Sequence, residues 1–411
     1  MRANADIAVV PSNISVVTPS FNSSAHIEAT IRSVMLQEPA PLEHIIMDGV
    51  STDGTIDILA RYTHLDWRSE PDAGQADALN KALRRTRGEI IAWINADDVY
   101  LPDTLAFVQD YFAAHPEIDL VYGEVDWVDE TGRFVCHIDT KEFIPEEALF
   151  ENPITQPAAF FRRSLLVRTG YLRADLHYLM DYEFWWRAYQ CCRIAYVPKT
   201  LAQFRVSPHS KTSARLERFA LEHLRVLDEI FLDVTLQARI GHLRDKAYRR
   251  LTWWAGLALY RAGEPETGWN ECGKALEQHA ILERDPDYAI EAVVFTPFAA
   301  LQQPIDPDWL ERLLSDMAYH GYGTPRFFRA ARSRFLVTRG FYYFDQLHDR
   351  RQSRSDLLRG ILLDAHWLGN RGLWRRLAEA AIPPKFHSTL NQFTRPLLVS
   401  GKVTTSPTKK P

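Results

Sequence analysis

The sequence predicts an α/β protein, in which a mostly parallel sheet with helices on both faces is followed by a helical domain. Three observations predict it. Short apolar runs rich in β-branched residues alternate with helical stripes, polar clusters follow the ends of successive runs, and strand patterns cease beyond about Ala214.

In order along the chain, residues 14–17 (ISVV), 44–47 (HIIM) and 89–94 (EIIAWI) read as strands buried on both faces. Ile27, Ile31, Val34 and Met35 form an i, i+4, i+7, i+8 helical stripe between the first two. Helical segments at Ile56 to Tyr62 and Gln75 to Arg85 separate the second from the third. Strictly alternating strands and helices build a parallel sheet, whose ligands gather beyond the carboxyl ends of its strands. Pro102 starts a helix carrying Leu105, Val108 and Phe112, and residues 120–138 read as a hairpin around the turn Asp129 to Gly132. Further on, Leu243, Ala247, Leu251, Trp254 and Ala258 hold a helical stripe, and residues 253–278 look like a single tetratricopeptide-like helix pair. The expected organisation is a flexible N-terminus (1–12), the α/β domain (13–214), a helical domain (215–400) and a disordered tail (401–411) rich in Pro, Thr and Lys.

Composition narrows the function. With 46% hydrophobic and 25% charged residues the chain is ordinary globular protein, long enough for two cores. A net charge of −5 does not advertise nucleic-acid binding. Cys136, Cys191, Cys192 and Cys272 show neither metal-ligand spacing nor a disulfide framework, so a reducing cytoplasm is the simplest home. No run of eighteen apolar residues occurs, and the first residues lack a long apolar segment.

Three polar clusters stand at the strand ends: TPSFN (Thr18, Pro19, Ser20, Phe21, Asn22), DGVSTDGT (Asp48 to Thr55) and NADD (Asn95 to Asp98). Each alone is ordinary turn chemistry. Three in register on successive strands point to one crevice. Adjacent Asp97 and Asp98 repel each other and are costly to desolvate, so they require water or a cation.

TPSFN, IIMDGVSTDGT, SEPDAGQADALNKAL, GEIIAWINADD and MDYEFWWR stand in the order seen in family 2 of the glycosyltransferases, which the chain resembles over residues 14 to about 212. The resemblance implies a GT-A-type, Rossmann-like fold, an inverting transfer and a nucleoside-diphosphate-sugar donor. It implies that Asp97 and Asp98 match the family's metal-binding pair, Asp98 binding Mn²⁺ or Mg²⁺ and Asp97 leaning toward the ribose or sugar. By the same resemblance Thr18, Pro19, Ser20, Asn22, Asp48 and Ser51 would line the nucleotide side, and Asp72 resembles the donor-side acid. Many members read Asp-Asp-Gly-Ser where this chain has Asp48-Gly49-Val50-Ser51, so an acid is missing from the nucleotide loop.

Asp181 aligns with the aspartate of the family's Glu-Asp motif, the catalytic base that takes the acceptor hydroxyl's proton. Read without the resemblance, it is an ordinary acid at a helix start before Phe184, Trp185 and Trp186. Glu183 is the alternative base, two residues along and facing elsewhere. Ser207 stands where the family often places a metal-binding His; His209, two residues later, either reaches the metal by a loop shift or is a surface histidine.

Between Arg326 and Arg376 stand twelve arginines and no lysine against four aspartates, a local excess of eight positive charges. A solvated basic face of a packed helical domain explains this, and docking to an anionic membrane that presents a lipid-linked acceptor is the functional alternative. The acceptor class is a glycan or a lipid-linked glycan, and nucleic acid is not expected as a partner. Two other functions compete with glycosyl transfer. A sugar-nucleotide nucleotidyltransferase carries a glycine- and arginine-rich phosphate loop where TPSFN stands, and intact Asp97, Asp98 and Asp181 argue against a non-catalytic scaffold.

Overall fold

The computed structural model describes residues 12–207, 210–296, 308–345 and 347–381. Of the N-terminal segment 1–12 only Ser12 falls within them; His209 and the tail over 401–411 lie outside them. The described residues divide into two compact units, the first ending at His279 and the second starting at Ala280.

In the first unit β1 (Ile14–Ser20), α1 (Ile27–Met35), β2 (Glu43–Asp48), α2 (Thr55–Leu59), β3 (Asp66–Ser69), α3 (Gln75–Leu83) and β4 (Ile90–Trp93) alternate as the sequence predicts. β1 pairs in parallel with β2 and β4, and β2 with β3. The chain therefore winds outward from β1 to β3, and α3 returns it to the other side of β1. That reversal opens a crevice at the carboxyl ends of β1, β2 and β4.

β5 (Val99–Tyr100), α4 (Thr104–Ala114), β6 (Leu120–Val128), β7 (Phe134–Ile138), α5 (Pro145–Ala148), β8 (Ala159–Arg162), α6 (Leu165–Thr169), α7 (Met180–Cys191) and β9 (Ile194–Arg205) follow. The sheet order is β3-β2-β1-β4-β8-β6-β9-β5, with β7 on β6. β8 is antiparallel to both β4 and β6, and β9 is parallel to β6, so a parallel half continues into a mixed half. The expected hairpin is β6 and β7, closed by Gly132 N–H donating to Asp129 O at 2.9 Å.

Alternate residues of each strand serve opposite faces. Val17, Ile45, Ile91 and Trp93 meet α3 and α7, whereas Val16, Ile90 and Ala92 meet α4. Helices α8 (Lys211–Ala214), α9 (Leu216–Leu232), α10 (Val234–Ile240), α11 (Arg244–Arg261) and α12 (Pro265–Gly273) complete the unit. The boundary expected at residue 214 thus lies inside it. The physical reason is a shared core: Val226, Leu227, Ile230, Phe231, Ile240 and Leu251 pack in the same cluster as Trp93, Trp185 and Trp186. The expected helix pair is α11 and α12, brought close at Gly256, where an added Cβ would stand 2.4 Å from Cys272 Sγ.

The second unit is helical among its described residues: α13 (Ile281–Arg284), α14 (Pro286–Phe295), α15 (Trp309–Tyr319), α16 (Pro325–Asp345), α17 (Arg350–Leu363) and α18 (Arg371–Ala381). Gly340 and Gly360 let α16 and α17 approach, and beside them Arg339 grips the fully buried Asp356 at 2.7 and 3.0 Å. Among the described residues no helix is long and apolar enough to cross a membrane.

Candidate active site

The loops after β1 and β2 are clasped by side chains. Ser51 donates its N–H and hydroxyl to the two oxygens of Asp48, at 2.9 and 2.5 Å, and Ser69 adds its hydroxyl at 2.7 Å. Asn22 N–H donates to Ser51 Oγ at 2.7 Å, and Asn22 Oδ1 accepts Thr52 N–H at 2.9 Å. Asp48 is therefore an internal brace. Thr18 also faces inward: its hydroxyl lies 3.0 Å from Nε2 of His44, whose imidazole is pushed down to about 3 by burial. Pro19 is buried, and so is the Ser20 hydroxyl, which has no hydrogen-bond partner among the described residues. An orphaned buried hydroxyl at a strand end suits a ligand that supplies its partner.

Two backbone features shape this rim. Val50 adopts φ 62°, the left-handed region where the resembled motif carries glycine. Gly49 comes so close to the Asp72 carboxylate that a Cβ would stand 2.6 Å from Oδ2. Asp72 is held by Gly74 N–H on its other oxygen at 2.8 Å.

Asp97 and Asp98 divide sharply. Asp98 is buried, with Oδ1 accepting Arg205 N–H at 2.9 Å and Oδ2 facing Asn95 Nδ2 at 3.4 Å. Burial, and then the charge of Asp97, hold its carboxyl well above the usual range. Asp97 is partly exposed; its carboxyl is raised by burial and opposed by its own N–H and by nearby His26 and Arg205. An oxygen donor in this position fits a hard divalent cation, whereas the Asp98 oxygens are turned into the protein.

Asn95 and Arg205 hold this loop. Asn95 accepts from Gln75 Nε2 at 2.9 Å and Trp93 Nε1 at 3.0 Å, and donates to Gln156 Oε1 at 2.8 Å. Arg205 donates to the carbonyls of Asp97, Asp129 and Glu130 at 3.0, 2.8 and 3.1 Å, joining the aspartate loop to the hairpin turn. Ser207, at the position of the family's histidine, donates its hydroxyl to Glu130 at 2.5 Å.

Asp181 occupies the first turn of α7, ahead of the buried Phe184, Trp185 and Trp186. Burial pushes its carboxyl up to about 6, against the pull of nearby main-chain N–H groups, with Glu222 adding to the rise. Glu183 is committed elsewhere, bonded at 2.7 Å by both Nε and Nη2 of Arg187. The loop of Asp72 and Gly74 and this turn meet at one rim: an added Cβ at Gly74 would lie 3.4 Å from His177 Nδ1, and Lys211 faces both Asp72 and Glu222.

Sequence reasoning missed Gln75, Gln156, His26 and Glu222. Gln75 lies within a segment already singled out, but only the fold turns it and Gln156 onto Asn95. Glu222 has no local signal.

The profile described as "Glycosyl transferase family 2" matches residues 15–167. Over 176 residues the chain is 30% identical to the PGL/p-HBAD biosynthesis glycosyltransferase of Mycobacterium bovis, a match covering 41% of this chain and 67% of that protein. Over 97 residues it is 43% identical to Bacillus subtilis TuaG, named for teichuronic acid biosynthesis, covering 22% of this chain and 38% of TuaG. Among solved structures, S. aureus TarS 1-349 in complex with UDP-GlcNAc aligns with a TM-score of 0.49 at 21% identity, over 75% of this chain and 92% of that one.

Proposed function

The chain belongs to glycosyl transferase family 2, and we propose that it is an inverting, metal-dependent enzyme moving a sugar from a nucleoside-diphosphate sugar to a hydroxyl of a glycan or lipid-linked acceptor. The proposed setting is cell-surface polysaccharide synthesis on the cytoplasmic side, in keeping with the names of the relatives from M. bovis and B. subtilis.

The observation that carries the reading is Asp181: a desolvated acid at a helix start, at the rim it shares with Asp72, while the neighbouring Glu183 is held by Arg187. In the proposed displacement the acceptor hydroxyl passes its proton to Asp181 as its oxygen bonds to the anomeric carbon. The bond from that carbon to the diphosphate breaks, and nucleoside diphosphate leaves with the electron pair. The nucleotide would lie along Ser20, Asn22 and Ser51, with Asp72 on the donor side. Asp97 would hold Mn²⁺ or Mg²⁺, which when bound supplies positive charge against the leaving diphosphate.

Peripheral contact with an anionic membrane is part of the proposal. Its support is α17, which exposes Arg351, Arg354, Leu358, Arg359 and Leu362, with no acid among its exposed residues. The test of the whole reading is incubation with UDP- and GDP-sugars, Mn²⁺ and a glycan or glycolipid acceptor. Release of nucleoside diphosphate with an inverted glycosidic product is expected; pyrophosphate chemistry would assign a nucleotidyltransferase, and no turnover with any donor would favour the scaffold.

A further inference from the structure

Glu222 lies on α9 and reaches back to the entry of α7. Its carboxylate accepts three consecutive main-chain N–H groups: His177 at 2.7 Å on Oε2, Tyr178 at 2.6 Å and Leu179 at 2.7 Å on Oε1. Such groups at a helix entry need partners from outside the helix, and a carboxylate makes the bonds charge-assisted. Three of them on one carboxylate define the path of the chain immediately before Asp181. The resembled motif reads Glu-Asp, but here Met180 precedes Asp181 and is buried in the core. No acid on α7 therefore adjoins Asp181 in sequence; the carboxylate arrives from α9.

Resting on the reading of Asp181 as the base, we propose that Glu222 is a positioning residue for sugar transfer, fixing the turn 177–179 that aims Asp181 and placing a carboxylate beside it. Glu222 acts only through Asp181. The charge adds to the effect of burial in raising the Asp181 carboxyl to about 6, closer to the pH at which a general base works best.

Other titratable groups stand around the turn, and Asp175, two residues ahead of His177, is paired with Arg173 and with Arg225 on α9. Lys211 on α8 faces Glu222 and Asp72, its ammonium 5.5 Å from the centre of the Tyr178 ring. His177 faces Gly74. His223 on α9 packs against Tyr182 and is pushed down to about 4 by burial, hence uncharged at neutral pH. Glu183 is paired with Arg187. Of these, Glu222 is the group whose charge opposes ionisation of Asp181.

The test compares Glu222→Gln, which keeps the shape and removes the charge, with Glu222→Asp, which keeps the charge on a shorter arm. For Glu222→Gln, turnover should fall roughly 10- to 100-fold, the cost of a misplaced reacting group, with donor KM little changed. Its acidic limb should move to lower pH. Glu222→Asp should lose turnover while keeping the limb near its wild-type position. Carbonyl-carbon NMR titration of Asp181, assigned with Asp181→Asn, reads the same effect without turnover: its midpoint should fall in Glu222→Gln and hold in Glu222→Asp. Circular dichroism checks that the variants fold. An unmoved Asp181 midpoint in folded Glu222→Gln overturns the role of Glu222 even if Asp181→Asn is inactive; wild-type turnover by Asp181→Asn overturns the base assignment itself.

Discussion

The side-chain amide of Asn80 completes both main-chain hydrogen bonds of Leu172, donating to its carbonyl at 2.7 Å and accepting its N–H at 3.0 Å. This ties α3, which starts beside Asp72 and Gly74, to the segment that leads into α7. Replacing Asn80 by Ala leaves one buried donor and one buried acceptor unpaired, each costing about 1–3 kcal/mol. Asn80→Ala should therefore lower the free energy of unfolding by about 2–6 kcal/mol, read from the urea midpoint at unchanged slope. A loss within experimental error would show that the segment relaxes to let water in.

Asp181→Asn should reduce turnover by about 10²–10⁴ while donor affinity stays close to wild type, read by titration calorimetry with nucleoside diphosphate. The same substitution has a stability signature. The folded carboxyl is raised from 3.8 to about 6, so the stability associated with its protonated form is full below the lower value and is lost as pH rises through the upper one. Asparagine has no such titration. The variant should match wild type near pH 3.5 in thermal unfolding and exceed it at pH 8, by about 1–3 kcal/mol.

Asp97→Asn should abolish the extra thermal stabilisation that Mn²⁺ gives in the presence of nucleoside diphosphate, since a ligand stabilises only the state that binds it. Asp98→Asn should retain it, because the Asp98 oxygens are directed at Arg205 N–H and Asn95. The reverse pattern would return the metal to Asp98.

Val50→Gly should raise stability by about 1 kcal/mol in urea unfolding. A β-branched residue at φ 62° carries a steric cost of roughly 1–2 kcal/mol that glycine avoids, offset in part by glycine's greater chain entropy. Val50 is 45% exposed, so little apolar burial is lost.

Anionic liposomes should sediment the protein at low salt and release it as salt rises, since surface attraction is screened over about 10 Å at 0.1 M. Leu362, which is 86% exposed on α17, should contribute by insertion, so Leu362→Ser should weaken binding to the same vesicles. Equal recovery on neutral and anionic vesicles would leave the arginine excess as a solvated face.

What the sequence disclosed followed burial. β1, β2 and β4 are covered on both faces, and their apolar runs declare them. β3 consists of Asp66, Trp67, Arg68 and Ser69, largely exposed, and shows neither an apolar run nor a clean alternation. β9 contains Pro198, near which its pairing with β6 changes register, so its pattern is broken by the residue that shapes it. At the site, the Asp97-Asp98 pair was legible but the difference in burial between its two members was not. It depends on a main-chain N–H at Arg205, 107 residues away. Glu222 was invisible for the same reason, because its partners become neighbours only when α9 packs alongside α7.

The near-contact of Gly49 with Asp72 constrains how this chain can change. The resembled motif carries an acid at position 49, but here the space for its Cβ lies 2.6 Å from an oxygen of the Asp72 carboxylate. An aspartate introduced at 49 alone would meet both a steric barrier and a like charge. A side chain at 49 therefore fits only if the Asp72 carboxylate swings aside, at the expense of the bond it accepts from Gly74 N–H. The two positions are thereby coupled: the effect of a side chain at 49 depends on what stands at 72, so Gly49→Ala and Asp72→Ala should be non-additive in a double-mutant cycle of stability.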